Sequence, residues 1–94
     1  TWDETRFIDG YPGKYVVMAR RHGGEWFVAG LNGTDKAINM TVNLEMLSGK
    51  TVNYYYETPD KNSLWHKSHV KKLNIGKNGK IKISMQPNGG CILH

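Results

Sequence analysis

Turn dipeptides punctuate this chain at intervals too short for helices. Asp9-Gly10, Pro12-Gly13, Gly23-Gly24, Asn32-Gly33, Ser48-Gly49, Pro59-Asp60, Asn78-Gly79 and Asn88-Gly89-Gly90 leave segments of strand length between them. Such spacing belongs to all-β sandwiches and barrels. No helical period survives three turns. The one helix-like fragment, Asn43 to Ser48, has room for a single turn before Gly49 stops it. The expected fold is all-β, a small antiparallel β-sandwich of about eight short strands, with residues 1–94 forming one domain.

The segment from Glu4 to Asn32 carries the pattern most clearly. Glu4 to Gly10 leads through Pro12-Gly13 into Lys14 to Arg21, and the chain turns at His22-Gly23-Gly24 into Glu25 to Asn32. That last run is apolar on both alternating faces, which suits a buried sandwich strand. Ile38, Met40, Val42 and Leu44 share one face of a half-buried strand, and Val52, Tyr54 and Tyr56 one face of another. Leu73 and Ile75 are expected to meet Ile81, Ile83 and Met85 across a type I′ hairpin centred on Asn78-Gly79. Gly90 to Leu93 reads as a closing edge or return strand. Pro59 to Ser68 reads as the one long loop, the kind of segment that often carries function.

Chemistry is sparse. Cys91 is the only cysteine, which excludes an internal disulfide and a thiolate cluster and reads as a buried core thiol. His66 and His69 lie near Ser63 and Ser68, but no nucleophile elbow accompanies them. Two imidazoles without a third ligand make a poor zinc site, and the carboxylates follow no calcium-loop spacing. Asp3, Glu4 and Asp9 cluster near the start, yet so small a sandwich offers no cleft in which to hold a catalytic pair of acids. No phosphate-binding glycine loop and no apolar run long enough to cross a membrane occur. The reading is no catalytic residue, no metal site and no cofactor in this chain.

Thirteen Lys and Arg against eight Asp and Glu give a formal charge of +5. Lys67, Lys71 and Lys72 could form a nucleic-acid patch, but a solvated strand face is the plainer account and no nucleic-acid partner is expected. Trp65, on the long loop, and Tyr55, in the triplet Tyr54-Tyr55-Tyr56, are the candidates for stacking against a sugar. Asn32-Gly33-Thr34 and Asn39-Met40-Thr41 match the glycosylation acceptor pattern, a match frequent by chance. Thr1 is not a methionine and a strand pattern follows at once, so the chain reads as part of something longer.

Trp2-Asp3-Glu4-Thr5-Arg6, Asp9-Gly10, Pro12 through Arg21, Glu25 through Asn32 and the ending Gln86-Pro87-Asn88-Gly89-Gly90-Cys91 resemble the C-terminal β domain of glycoside hydrolase family 97. Asn62 to Lys72 departs from that pattern. The resemblance implies a parent enzyme with an N-terminal β-sandwich and a central (β/α)8 barrel, similar to calcium-dependent α-glucosidases or α-galactosidases of Bacteroides-type bacteria exported to the periplasm. It places the catalytic glutamates and the calcium in the earlier domains. The implied partners are the barrel of the same chain and further copies of it, and the implied role is to stabilise the barrel. The competing expectation is a carbohydrate-binding module using Trp65 and Tyr55.

Overall fold

A computed structural model of the chain describes residues 1–59 and 66–94. Eight strands are present among them: β1 Glu4–Tyr11, β2 Tyr15–His22, β3 Glu25–Asn32, β4 Ile38–Asn43, β5 Thr51–Thr58, β6 Lys67–Asn74, β7 Lys80–Met85 and β8 Gly90–Leu93. A single 3₁₀ turn at Glu45–Leu47 is the helix-like fragment read from the sequence. The strands form an antiparallel six-stranded sheet in the order β1-β2-β3-β8-β5-β6 and a two-stranded sheet of β4 and β7.

The smaller sheet covers the middle of one face of the larger. Val17, Ala19, Val28, Val52, Tyr54, Cys91 and Leu93 point inward from the larger sheet against Val42, Ile83 and Met85 of the smaller, and Leu44, Leu47 and Ile75 complete the cluster. All are at least nine-tenths buried. Each large aliphatic side chain removed from water in this way contributes roughly 1.5–3 kcal/mol, which gives the sandwich a core of its own. Packing is tight enough at β3 to require glycine: a Cβ on Gly30 would sit 2.8 Å from the Met85 sulfur and 3.1 Å from that of Cys91.

Four sequence expectations change. The Asn78-Gly79 hairpin does not form, because β6 pairs with β5 in the larger sheet and β7 with β4 in the smaller. Of the turn residues only Gly79 has positive φ, +71°, whereas a type I′ turn needs it at both central positions. The chain instead crosses the sandwich there, tied by Gly79 N–H to Gly76 O (3.0 Å), Ile75 N–H to Lys50 O (2.8 Å) and Leu44 N–H to Gly79 O (2.8 Å). Crossing lets Ile83 and Met85 cap the core rather than extend a sheet edge.

β8 is not an edge strand. It lies between β3 and β5 and joins the two halves of the larger sheet. The long loop is shorter than read, since Lys67 and Ser68 already belong to β6.

The fourth change concerns β3. Its inward residues Val28, Gly30 and Asn32 are buried as expected, but its other face is open, with Phe27 half-buried, Ala29 exposed and Leu31 61% exposed. The apolar alternation is real, yet nothing among the described residues covers that side.

Candidate functional site

Strand registry explains what the open side of the larger sheet looks like. Phe7 of β1 stands opposite Met18 of β2, Met18 opposite Ala29 of β3, Ala29 opposite Ile92 of β8, Ile92 opposite Tyr55 of β5, and Tyr55 opposite Val70 of β6. Side chains of directly paired residues share a face, so one apolar file crosses all six strands. Its larger members are exposed to a degree that core residues never are: Phe7 66%, Val70 58%, Ile92 47% and Tyr55 43%. Val16 and Leu31 flank it on one side, Arg20 and Phe27 on the other.

The Trp2 ring packs edge-on against Phe27 at 5.2 Å between centroids, and the Phe27 ring stacks on His94 at 3.9 Å. A shallow hollow of about 360 Å³ opens at the β1 end between Phe7, Tyr11, Tyr15, Val16 and Leu31. Its walls are aromatic and aliphatic, suited to receive an apolar side chain.

Tyr55 lies in the middle of this file, beside Ile92. Tyr54 and Tyr56 point the other way, their rings stacked 5.0 Å apart, and the Tyr54 hydroxyl accepts from Ser84 N–H at 3.0 Å. Burial raises the Tyr54 pKa, against the opposing effect of its hydrogen bond with the Ser84 backbone. Trp65, Asp60, Lys61, Asn62 and Ser63 lie outside the described residues.

The remaining candidates are separated by the pleat. Ser68 and His69 are neighbours on β6 and therefore face opposite sides. His69 stacks on Tyr56 (5.2 Å) and its Nε2 meets Thr58 Oγ1 at 2.7 Å, whereas His66 Nε2 lies 3.0 Å from Pro87 O. The two imidazoles thus have different partners, and the described residues contain no group of three metal-ligating side chains.

Lys71 lies over the Tyr56 and Tyr54 rings at 5.2 and 6.0 Å, on the inward side, while Lys72 pairs with Asn53 on the outward side. The lysines do not gather into one patch. The acids near the start are occupied structurally: Glu4 pairs with Arg6 and Arg21, Asp3 Oδ2 accepts from Gly23 N–H at 2.7 Å, and Asp9 Oδ1 from Gly10 N–H at 2.7 Å. The hydrogen bond from Arg6 holds the Glu4 carboxyl below its usual range.

Cys91 is buried as expected, and burial pushes its thiol up to about 11. That environment suppresses thiolate formation and reactivity. Asn32 is a polar residue of the core. Only 3% exposed, it donates through Nδ2 to Lys36 O (2.7 Å), Gln86 O (3.1 Å) and Met85 O (3.3 Å), and its Oδ1 accepts from Thr34 N–H (2.9 Å) and Thr34 Oγ1 (2.7 Å). The amide nitrogen that a glycan would need is therefore spent inside the fold. An Asn at a strand end beside a glycine reads as a turn, and no sequence signal marks it as the clasp between the two sheets.

Comparison with known proteins agrees with this arrangement. Residues 1–94 match the family described as glycosyl-hydrolase 97 C-terminal, oligomerisation. The chain belongs to that family. It is 35% identical over 98 residues to a retaining α-galactosidase of Bacteroides thetaiotaomicron, a match that takes in 98% of this chain and 14% of that protein. A β-arabinopyranosidase crystal structure superposes with a TM-score of 0.87 at 42% identity, covering 98% of this chain and 14% of the other. A family 97 enzyme of Pseudoalteromonas sp. strain K8 in complex with panose superposes at 0.72 with 19% identity, which shows shared fold. This family 97 C-terminal chain therefore spans about one-seventh of such relatives, as an accessory, non-catalytic part.

Proposed function

We propose that this chain is the single C-terminal domain of a glycosidase whose chemistry resides in preceding domains, and that its work is to stabilise the catalytic barrel and take part in assembly of the enzyme. The observation that carries the reading is the match of all 94 residues to a C-terminal oligomerisation family, on a sandwich whose larger sheet carries an exposed apolar file across its outer face. The side chains of that file are aliphatic and aromatic, with Arg20, Glu57, Ser68 and Lys72 toward its border.

The parent's substrate is proposed to have the galacto configuration. An α-galactosidase and a β-arabinopyranosidase are among the relatives, and a β-L-arabinopyranose ring has the configuration of α-D-galactopyranose without its hydroxymethyl group. This narrows the expectation of an α-glucosidase or α-galactosidase. Calcium in the catalytic domain and export to the periplasm of a Bacteroides-type bacterium go with the same reading, on the strength of the family resemblance.

Aryl α-galactosides and β-L-arabinopyranosides should be hydrolysed by the longer polypeptide and left intact by residues 1–94. Turnover by the 94-residue chain that disappears on changing one of its carboxylates would overturn the non-catalytic reading. A second reading, sugar contact through Trp65 and Tyr55, is favoured by the exposed Tyr55 ring. It ranks second because that ring stands directly between Ile92 and Val70 in the apolar file, with Glu57 and Ser68 as the neighbouring polar pair on that face. A saturable change in tryptophan fluorescence with galactosides, removed by Trp65→Ala or Tyr55→Ala, would promote it.

A further inference from the structure

We propose that the apolar file on the outer face of the larger sheet is the seat of the catalytic part of the same polypeptide, which docks on it through an apolar surface. The inference rests on the accessory reading above and names the surface and its occupant.

Three observations select this face and this partner. First, the file from Phe7 to Val70 crosses every strand of the larger sheet, a length of roughly 24 Å at about 4.8 Å between strands. A two-layer antiparallel fold normally keeps polar residues on its solvent side, and continuous apolar exposure on this scale marks an interface. The alternative faces are polar. The outside of the smaller sheet presents Asn39, Thr41, Lys80 and Lys82, and the free edge strand β6 carries Lys67, Lys71 and Lys72, the usual guard against edge-to-edge pairing.

Second, the chain enters the domain at this face. Trp2 packs on Phe27 and lies under the Arg20 guanidinium, which is 5.8 Å from its ring, and Phe27 and Arg20 are both outward residues of the larger sheet. Relatives are about seven times longer than this chain, and a C-terminal domain receives the rest of its polypeptide at its N-terminus. Whatever precedes Thr1 in the longer chain therefore emerges beside the apolar file.

Third, tethering decides between possible occupants. A covalently linked neighbour is present at an effective concentration of the order of millimolar, well above that of a second copy in dilute enzyme.

The test is hydroxyl-radical footprinting of the longer polypeptide, at a concentration where light scattering shows single copies, beside the 94-residue chain. Oxidation of Phe7, Leu31, Tyr55 and Ile92 should be slower in the longer polypeptide by at least about fivefold, as for side chains moved from water into an interface core. Acetylation of Lys82 on the other sheet should be equal in both. Equal oxidation rates would overturn the proposal, and so would protection that appears only as the concentration is raised through a dimer, which would assign the face to a second copy.

In a second measurement, Leu31→Lys with Ile92→Lys should separate the unfolding of this domain from that of the longer polypeptide while leaving the melting of the 94-residue chain unchanged. Unaltered, single-step unfolding of the doubly substituted longer polypeptide would also count against the proposal. Protection without glycosidase turnover would refute the enzymatic reading and leave the docking intact. Turnover with an unprotected face would do the reverse.

Discussion

The two outward faces of the sandwich obey the same alternation and carry opposite chemistry. On the smaller sheet, Asn39, Thr41, Lys80, Lys82 and Ser84 hold the outer positions, and Ser84 Oγ bonds across the strands to Asn39 Oδ1. On the larger, the middle outer positions hold Phe7, Met18, Ile92, Tyr55 and Val70, and polar residues such as Arg20, Glu57 and Lys72 stand only toward the border. A sheet face bounded by water on both counts would have no reason to differ in this way. The contrast separates a polar face from one with an apolar file through its middle, and it cannot be seen in either strand set taken alone.

The comparison is sharpest on β8, where consecutive residues point to opposite sides. Leu93→Ala empties a fully buried site and should cost the 94-residue chain about 2–5 kcal/mol in urea denaturation. Ile92→Ala, on the open face, should cost less than about 1 kcal/mol. Equal losses would mean that the outer face is covered within this chain and would erase the distinction between the two faces.

Asn32→Ala should come next. It removes the amide donor shared by the Met85, Gln86 and Lys36 carbonyls where the sheets are clasped together, of which Lys36 O keeps the Thr34 hydroxyl, a loss of about 1–3 kcal/mol by the same measurement. A neutral result would mean that water replaces the amide there.

Inward burial also predicts an alkaline limit. The Cys91 thiol has its folded pKa raised from 9.0 to about 11, so the unfolded chain loses its proton first. The contribution is fully present below pH 9 and is lost as pH rises through 11, on the order of 2 kcal/mol. Urea midpoints measured from pH 8 to 11 should fall accordingly, and Cys91→Ala should flatten that part of the decline. The part due to Tyr54, whose pKa is also raised by burial, should persist above pH 10.

The smallest effects belong to the solvent face of the smaller sheet. Lys82→Ala and Thr41→Ala should change stability by no more than about 0.5 kcal/mol, in the 94-residue chain and in the longer polypeptide alike. A loss confined to the longer polypeptide would show that this polar face, too, meets a partner.

Much of the fold was legible because strand alternation and turn chemistry are local. The pair β1–β2, the strand around Val42, the inward set Val52, Tyr54 and Tyr56, the turn before Gly49 and the buried Cys91 all follow from residues near one another in sequence. The hairpin at Asn78-Gly79 misled because a two-residue turn signal describes how a chain can reverse, not which strand it will lie beside. Partner choice was settled by where Ile83 and Met85 could be buried, on the far side of the core. The Asn32 clasp was illegible for the same reason, since its partners at Met85 and Gln86 lie more than fifty residues away. Of the sugar-contact candidates, Tyr55 acquires a definite place in the apolar file, and Trp65 lies outside the described residues.

By itself, then, the amino-acid sequence determined that this chain is all-β, that it lacks a recognisable reactive constellation, and that it resembles a family of C-terminal domains, because period, turn type and motif are properties of neighbouring residues. It also recorded that β3 is apolar on both sides. Only the tertiary structure decided which of those sides is core and which is surface. Burial is a property of what stacks on a sheet, and among the described residues two strands cover six.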